Sequence, residues 1–453
     1  MNTALEPTTD DTIELLRELV RAACVNDGSA ESGQEIRAVR VLQRFLAGTE
    51  SAAGGRAEIQ VFESAPGRAS LVARVRGTDP DAPKLGLVGH LDVVPVELER
   101  WHRDPFGGEL VDGEIWGRGT VDMLYLTAAF AAVFREVALA PTAPRGDLVL
   151  LAVADEEAGS DLGLKWLLRE QPGAVAVTEA LSETGGMRMN THVAIDVAEK
   201  GSAGRRLIVR GTPGHASVPF GAHSAAVLVG EVLHRLAGVE PAVHLGELWR
   251  PFVEARFEDP ALRERLLDPV RLDSALAELG GIAGYAHALS RITVSPTVLR
   301  AGSAHNVIPG EATIDLDIRT LPGTTDDEVD EMLRQMLGEL LEGPNAVEIR
   351  YLRGWAATAS STQHPLYGSI VRAIADTDGS PVVPVMAAGG SDNRLLRQIG
   401  IPSFGFGLLS PEWSYERYRE RIHAHDERVD VESVRLTLES LRRVVWDRIG
   451  PRA

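Results

Sequence analysis

Cysteine is nearly missing from this chain, with one residue, Cys24, among 453. A lone thiol excludes an internal disulfide framework and suits a reducing cytoplasm, where the chain is expected to reside. No apolar run approaches the roughly 18–20 residues that a membrane-spanning helix needs. The start, MNTALEPTTDDTIELL, carries neither a basic region nor an apolar signal core, so secretion is not expected. Positive charge is scarce too: 46 Lys and Arg face 65 Asp and Glu, for a net charge of −19. Such a chain has little basic surface to displace counterions from a phosphate backbone, so neither nucleic acid nor membrane is an expected partner. Lysine itself is confined to Lys84, Lys165 and Lys200, which reads as coding bias without functional weight. Two common catalytic devices are absent as well. GTPGHAS (211–217) does not end in the Lys-Ser/Thr of a phosphate loop, and AGGSDN (388–393) does not form a Gly-x-Ser-x-Gly elbow. Cys24 falls within an expected helix, far in sequence from any histidine, and is read as structural.

What is present reads as a soluble α/β protein of more than one domain, since 453 residues exceed one ordinary core. Residues 9–24 and 33–46 have helical patterning, the first opened by Thr or Asp caps. Strand-like runs follow at ASLVARVRG from Ala69, KLGLVGH from Lys84 and DLVLLAVA from Asp147, with helical patterns after Asp122 and Asp161. This alternation predicts βαβ units around a largely parallel sheet, whose sites lie beyond the carboxyl ends of the strands. The texture changes near Glu199. EATIDLDIRT (311–320) places Ile314, Leu316 and Ile318 on one face and Asp315, Asp317 and Arg319 on the other, as in a half-exposed antiparallel strand. The expected plan is a catalytic domain over 1–198 and 327–453, interrupted by a smaller α+β domain over 199–326.

Five stretches gather His, Asp and Glu, four of them where an apolar run stops. GHLDVVP holds His90 and Asp92; GRGTVDM presents Asp122 after two loop glycines; LVLLAVADEEAGSD ends in Asp155, Glu156 and Glu157; SETGG contains Glu183; RIHAHDERVD contains His423 and His425. Each has a plainer reading alone: a capped turn, a solvated helix start, a charged loop. Their conjunction at strand ends is what carries weight. Carboxylates and imidazoles without thiolates suit zinc, manganese or cobalt, and this many ligands can hold a metal pair that assists hydrolysis. Three adjacent acids at the mouth of a buried strand repel one another unless cations answer them.

In order along the chain, GHLDVVP, GRGTVDM, DEEAGS, GTPGHAS, HNVIPGEA and GGSDNR resemble the co-catalytic metallopeptidase family of carboxypeptidase G, aminoacylase, acetylornithine deacetylase and succinyl-diaminopimelate desuccinylase. The segment near 239–290 is a longer insertion, similar to that of the carboxypeptidase-S-like branch. The resemblance implies that His90, Asp122, Glu157, Glu183 and His423 ligate two divalent metals, most readily zinc, with Asp122 bridging. His425 competes with His423 for the last place. Asp92 would brace the His90 ring, and Glu156 would be the general base. His215 would reach the substrate carbonyl, in some members across a dimer interface, while Asn306, Arg319, Gly389 and Gly390 would border the substrate. The implied fold is a catalytic α/β domain interrupted by a lid that forms a homodimer. The implied reaction is hydrolysis of a dipeptide or N-acyl amino acid, a small-molecule amide. A related ester or carbamate, or binding without catalysis, are the alternatives. One departure stands out: relatives follow the bridging Asp with Met-Lys-Gly, whereas this chain has Met123, Leu124 and Tyr125. The metal ligands should survive that change, while the packing behind Asp122 should differ.

Overall fold

A computed structural model describes residues 8–51, 54–343 and 345–451. The leading MNTALEP, part of the stretch on which no leader was expected, lies outside the described residues. The apolar runs form a six-stranded sheet in the order Ala57–Ala65, Arg68–Val75, Asp147–Val153, Lys84–His90, Glu179–Ser182 and Ser403–Gly405. The last four are mutually parallel. A hairpin of the first two adds an antiparallel edge.

Side-chain alternation explains why the inner strands read as continuous apolar runs: both faces are covered. Leu148, Leu150 and Ala152 turn to one side, with Leu85 and Leu87, against the helices Thr9–Arg21, Tyr125–Leu139 and Val431–Ile449. Val149, Leu151 and Val153 turn to the other, with Leu164, Leu167, Leu395 and Leu396. The helix Tyr125–Leu139 is apolar on every side up to Phe134 because it lies between sheet and helices, with Phe130 and Phe134 fully buried. Full burial of side chains of this kind stabilises by roughly 1.5–3 kcal/mol each. The first helix opens with Thr8 and Asp11 in a reciprocal capping box, as its sequence predicts.

A smaller sheet beside the first pairs His192–Glu199 in parallel with Val382–Ala387, and also pairs it with Gly185–Met189 and Thr358–Ala359. The smaller domain, the expected lid, is built on a four-stranded antiparallel sheet ordered Thr293–Ala301, Glu311–Thr320, Gly201–Arg210 and Glu348–Trp355. Ile314, Leu316 and Ile318 face its core, as the alternation predicts, together with Val329 and Leu333 of the helix Asp326–Leu337. That helix and the strand Glu348–Trp355 belong to the lid, so the lid runs on past 326 to Trp355. The periodicity after Asp326 fits either body, and only pairing with Gly201–Arg210 assigns it.

The insertion near 239–290 springs from the lid but packs on the catalytic body. Its helices Trp249–Arg256, Leu272–Leu276 and Ala283–Ser290 contribute Trp249, Phe252, Leu272 and Leu289 to the main core. Buried Lys200, at the junction, donates to the carbonyls of Ala288 and Arg291 at 2.7 Å each and ties the end of the insertion down. Among the described residues no helix is long and apolar enough to cross a membrane.

Candidate metal centre

Three parallel neighbours deliver their chemistry at one end of the sheet: His90 closes its strand, Asp155 to Glu157 follow Val153, and Glu183 follows Ser182. Asp122 arrives from an irregular turn, Thr120–Leu124, ahead of the helix at Tyr125. Fully buried Glu427 holds that turn, accepting from the backbone amides of Gly119, Val121 and Asp122 at 3.1, 2.8 and 3.2 Å and from Arg118 at 2.7 Å. His423 comes from a loop between Arg421 and Arg428, with φ of 58°.

The ligand atoms converge. His90 Nε2 lies 3.1 Å from Asp122 Oδ1 and 3.6 Å from Glu183 Oε2. His423 Nε2 lies 3.0 Å from Asp122 Oδ2 and 3.3 Å from Glu157 Oε1. His90, Asp122 and Glu183 thus form one group and Asp122, Glu157 and His423 another, each with its donor atoms within 4.8 Å of one another. Asp122 is common to both, one oxygen to each. His425 joins neither group.

Asp92 acts differently from the expected brace. The Nδ1 of His90 meets the Asp92 backbone oxygen at 2.9 Å, whereas the carboxylate stands 3.8 Å away. That carboxylate accepts from the amides of Glu156 and Glu157, each at 3.1 Å, and from Asn26 at 2.8 Å. Asp92 therefore fixes the ring through its main chain and the two glutamates through its side chain.

The three consecutive acids part company at once. Asp155 takes φ of 67°, a left-handed conformation that Asp tolerates, and turns inward. It accepts from buried Arg68 at 2.8 Å and from the amide of Leu162 at 2.8 Å, while Arg68 also grips Glu35 at 2.7 Å. Removing one partner from such a buried ion network costs about 3–5 kcal/mol. Asp155→Ala is expected to lose stability of that order in urea unfolding, and Asp155→Asn distinctly less. An alanine variant as stable as the parent would refute the bracing role.

Glu156 and Glu157 remain in the site. Burial, then the nearby charge of Glu183, pushes the Glu156 carboxyl well above its usual range. No ion partner stands closer to Glu156 than Arg394, whose Nη1 is 4.0 Å from its Oε1, among the described residues. Burial and Asp122 push Glu183 up to about 8. Burial and Asp122 likewise raise Glu157. For Asp122 burial acts upward, but hydrogen bonds with His423 and His90 hold it well below the usual carboxylate range. Burial would depress His423, yet contact with Asp122 and Glu157 lifts it to about 10, and His90 is raised in the same way by Asp122 and Glu183. Without a metal, protons on the imidazoles neutralise the carboxylates. Divalent cations would replace those protons, and this set of imidazole and carboxylate donors suits zinc, cobalt or manganese.

The cluster opens into a cavity of about 250 Å³ that the Gly389–Gly390 loop borders and that Asp196, Tyr285, Tyr415 and Tyr418 also line. Arg319 pairs with Asp317 at 2.7 Å and stacks on Trp355, which Arg394 also faces. His215 and Asn306 are exposed on the lid and do not line this cavity; the His215 ring contacts Ser217 at 2.7 Å. Leu124 and Tyr125 are buried behind Asp122, with the Tyr125 hydroxyl packed where a Cβ on Gly407 would be 2.8 Å away. The holding role of Glu427, the reach of Arg394 and the tyrosine wall were not read from the sequence. An acid inside the apolar run VAIDVA (193–198) was the visible sign of Asp196.

Residues 86–447 match the family model for peptidase family M20/M25/M40. The chain is 28% identical over 430 residues to a succinyl-diaminopimelate desuccinylase from Methylocella silvestris, covering 93% of this chain and 94% of that one. It is 26% identical over 375 residues to human aminoacylase-1, covering 82% and 81%. Its fold is similar to that of an M20 family metallo-carboxypeptidase from Sulfolobus solfataricus, with a TM-score of 0.69, 16% identity and coverage of 96% and 98%.

Proposed function

The chain belongs to peptidase family M20/M25/M40 and is a hydrolase of amide or peptide bonds, and from this we propose that it cleaves dipeptides or N-acyl amino acids with Glu156 as general base. The observation that carries the reading is Asp122, shared by two candidate ligand groups, with Glu156 beside them and, among the described residues, no ion partner nearer to it than Arg394 at 4.0 Å. His90, Asp122 and Glu183 would hold one divalent cation and Asp122, Glu157 and His423 the other, zinc being the first choice. When bound, such cations polarise a scissile carbonyl and lower the pKa of an attacking water.

The residues of the chain supply the rest. Glu156 accepts the proton of the attacking water and passes it to the departing amine, acting as base and then as acid. A raised carboxyl suits this exchange, because proton affinity close to neutrality serves both steps. Asp92, bonded to the amides of Glu156 and Glu157, keeps base and ligand in register. His215 would steady the oxyanion, and it stands on the lid, so it reaches the substrate by lid closure or from a second copy. The exposed Val298 and Leu299 on the edge strand Thr293–Ala301 support a homodimer through the lid. Arg319 and Asn306 would meet the substrate's carboxylate and polar groups. Cys24, a single free and buried thiol, suits a cytoplasmic setting.

Metal content and a panel of dipeptides and N-acyl amino acids test the reading; an absence of bound metal with no amide turnover in zinc, cobalt or manganese would overturn it. Stability supplies an independent check. Between the ordinary 4.5 of a glutamate and the value of about 8 for Glu183, the unfolded chain has released a proton that the folded chain keeps. The metal-free protein therefore loses stability as pH rises through that window. His423 acts in the same direction: its contribution is complete below 6.5 and is lost as pH rises through about 10. The gain in Tm on adding zinc is expected to be larger near pH ~8 than near pH ~6, by calorimetry. A gain that shrinks with pH counts against these ligands.

A further inference from the structure

The lining of the cavity contains an acid that neither the candidate metal groups nor the proton transfer uses. Asp196 lies on the strand His192–Glu199, 3% exposed, and lines the cavity together with Tyr285, Tyr415 and Tyr418. The rings of Tyr285 and Tyr415 pack against each other with centroids 4.7 Å apart. Tyr418 lines the same cavity as Asp122 and Glu183.

Asp196 is poorly answered. Its hydrogen-bond partner is the Thr184 hydroxyl. That hydroxyl is also 2.5 Å from the Glu183 carbonyl oxygen, and its single proton cannot serve both. The phenol of Tyr285 is committed elsewhere, donating to the Met386 carbonyl at 2.9 Å. Arg397 is near enough to influence Asp196, but it pairs with Glu199 at 3.5 Å. Glu199 has the nearer claim on that guanidinium, and burial pushes the Asp196 carboxyl up to about 8, so a cation seated beside it would hold it ionised. Arg419, the cationic residue of the cavity lining, is exposed at the rim.

We propose that Asp196, with Tyr285, Tyr415 and Tyr418, forms a specificity subsite for a cationic group of the substrate, an ammonium or guanidinium carried beside the scissile amide. A buried carboxylate needs a charged donor, and the faces of aromatic rings attract the same cation. An anionic substituent would meet Asp196 as a like charge, and a purely apolar one would leave it without a donor. The substrate class is therefore amides of basic amino acids. This rests on the amide-hydrolase reading above.

Two matched pairs test it on the metal-loaded enzyme: Nα-acetyl-lysine against Nα-acetyl-norleucine, and lysyl-alanine against norleucyl-alanine. In at least one pair the parent is expected to favour the cationic member in kcat/KM by about 10–100-fold, the worth of a hydrogen bond to a charged group. Asp196→Asn, which preserves shape, should bring that ratio close to one, chiefly through KM. Hydrolysis without a charge preference in either pair overturns the subsite and leaves the amide-hydrolase reading intact. A preference that survives Asp196→Asn likewise overturns it, and the parent ratio decides the matter even if the variant fails to fold. No hydrolysis of any pair member or other amide overturns the reading beneath it.

Discussion

Glu156→Gln is expected to lower kcat by about 10²–10⁴-fold while the protein keeps its full complement of metal. Glutamine matches glutamate in shape and retains the amide through which Asp92 positions the segment. It cannot accept the proton of a water. Glu156 belongs to neither ligand group, so metal analysis should be indistinguishable from the parent, and KM should change little. The loss then reports proton transfer alone. Turnover within about ten-fold of the parent, with metal retained, would remove Glu156 from the base role. Loss of metal from the variant would instead make it a ligand, against the geometry of the two groups.

Asp122→Ala should have the opposite signature: both metal sites fail together, and with them all measurable turnover. One carboxylate serves both groups, with Oδ1 3.1 Å from His90 and Oδ2 3.0 Å from His423. Removing it leaves each site with one imidazole and one carboxylate, too few to hold a cation tightly in an open water-accessible site. The turn should endure, because Glu427 grips the backbone amides around Asp122 and not its side chain. Circular dichroism near that of the parent, with metal content close to zero, is the expected pair of results. Retention of two metals per chain would show that Asp122 does not bridge.

The two substitutions separate what a single inactive variant confuses. Glu156 and Asp122 lie in one cavity and are both buried carboxyls, yet their surroundings push them apart: Asp122 is held ionised by two imidazoles, and Glu156 is driven toward its proton by burial and Glu183. Two carboxyls with opposite proton affinities are what ligand and base require.

Much of this centre was legible along the chain. A strand that must be buried on both faces is written as a continuous apolar run, and a polar residue at its end is then conspicuous. His90, Asp122, Glu156, Glu157, Glu183 and His423 all announced themselves in that way or by their motifs. Asp92 was legible as a neighbour of His90 but not in its role. In an extended chain a residue two places along shares the face, and the pattern does not say whether main chain or side chain makes the contact. His423 and His425 share the same local spacing, and only the left-handed turn at His423 swings one ring toward Asp122. The lid boundary was lost for a related reason: an amphipathic helix after Asp326 shows which face is apolar, not which core receives it.

By itself the sequence determined the chemistry of the donors and the elements that present them, because periodicity and composition are local properties of the chain. It set a chain without disulfides, an alternating α/β framework, acids and imidazoles at strand ends, and a family of motifs in order. The tertiary structure alone decided what meets what. It joined Asp122 to partners from strands and loops as far apart as His90 and His423, seated the insertion on the catalytic body, and brought Asp196 into one cavity with Tyr285 and with the helix that carries Tyr415 and Tyr418. Those decisions come from packing, where an element's position follows from the surface that can bury it, and that surface belongs to another part of the chain.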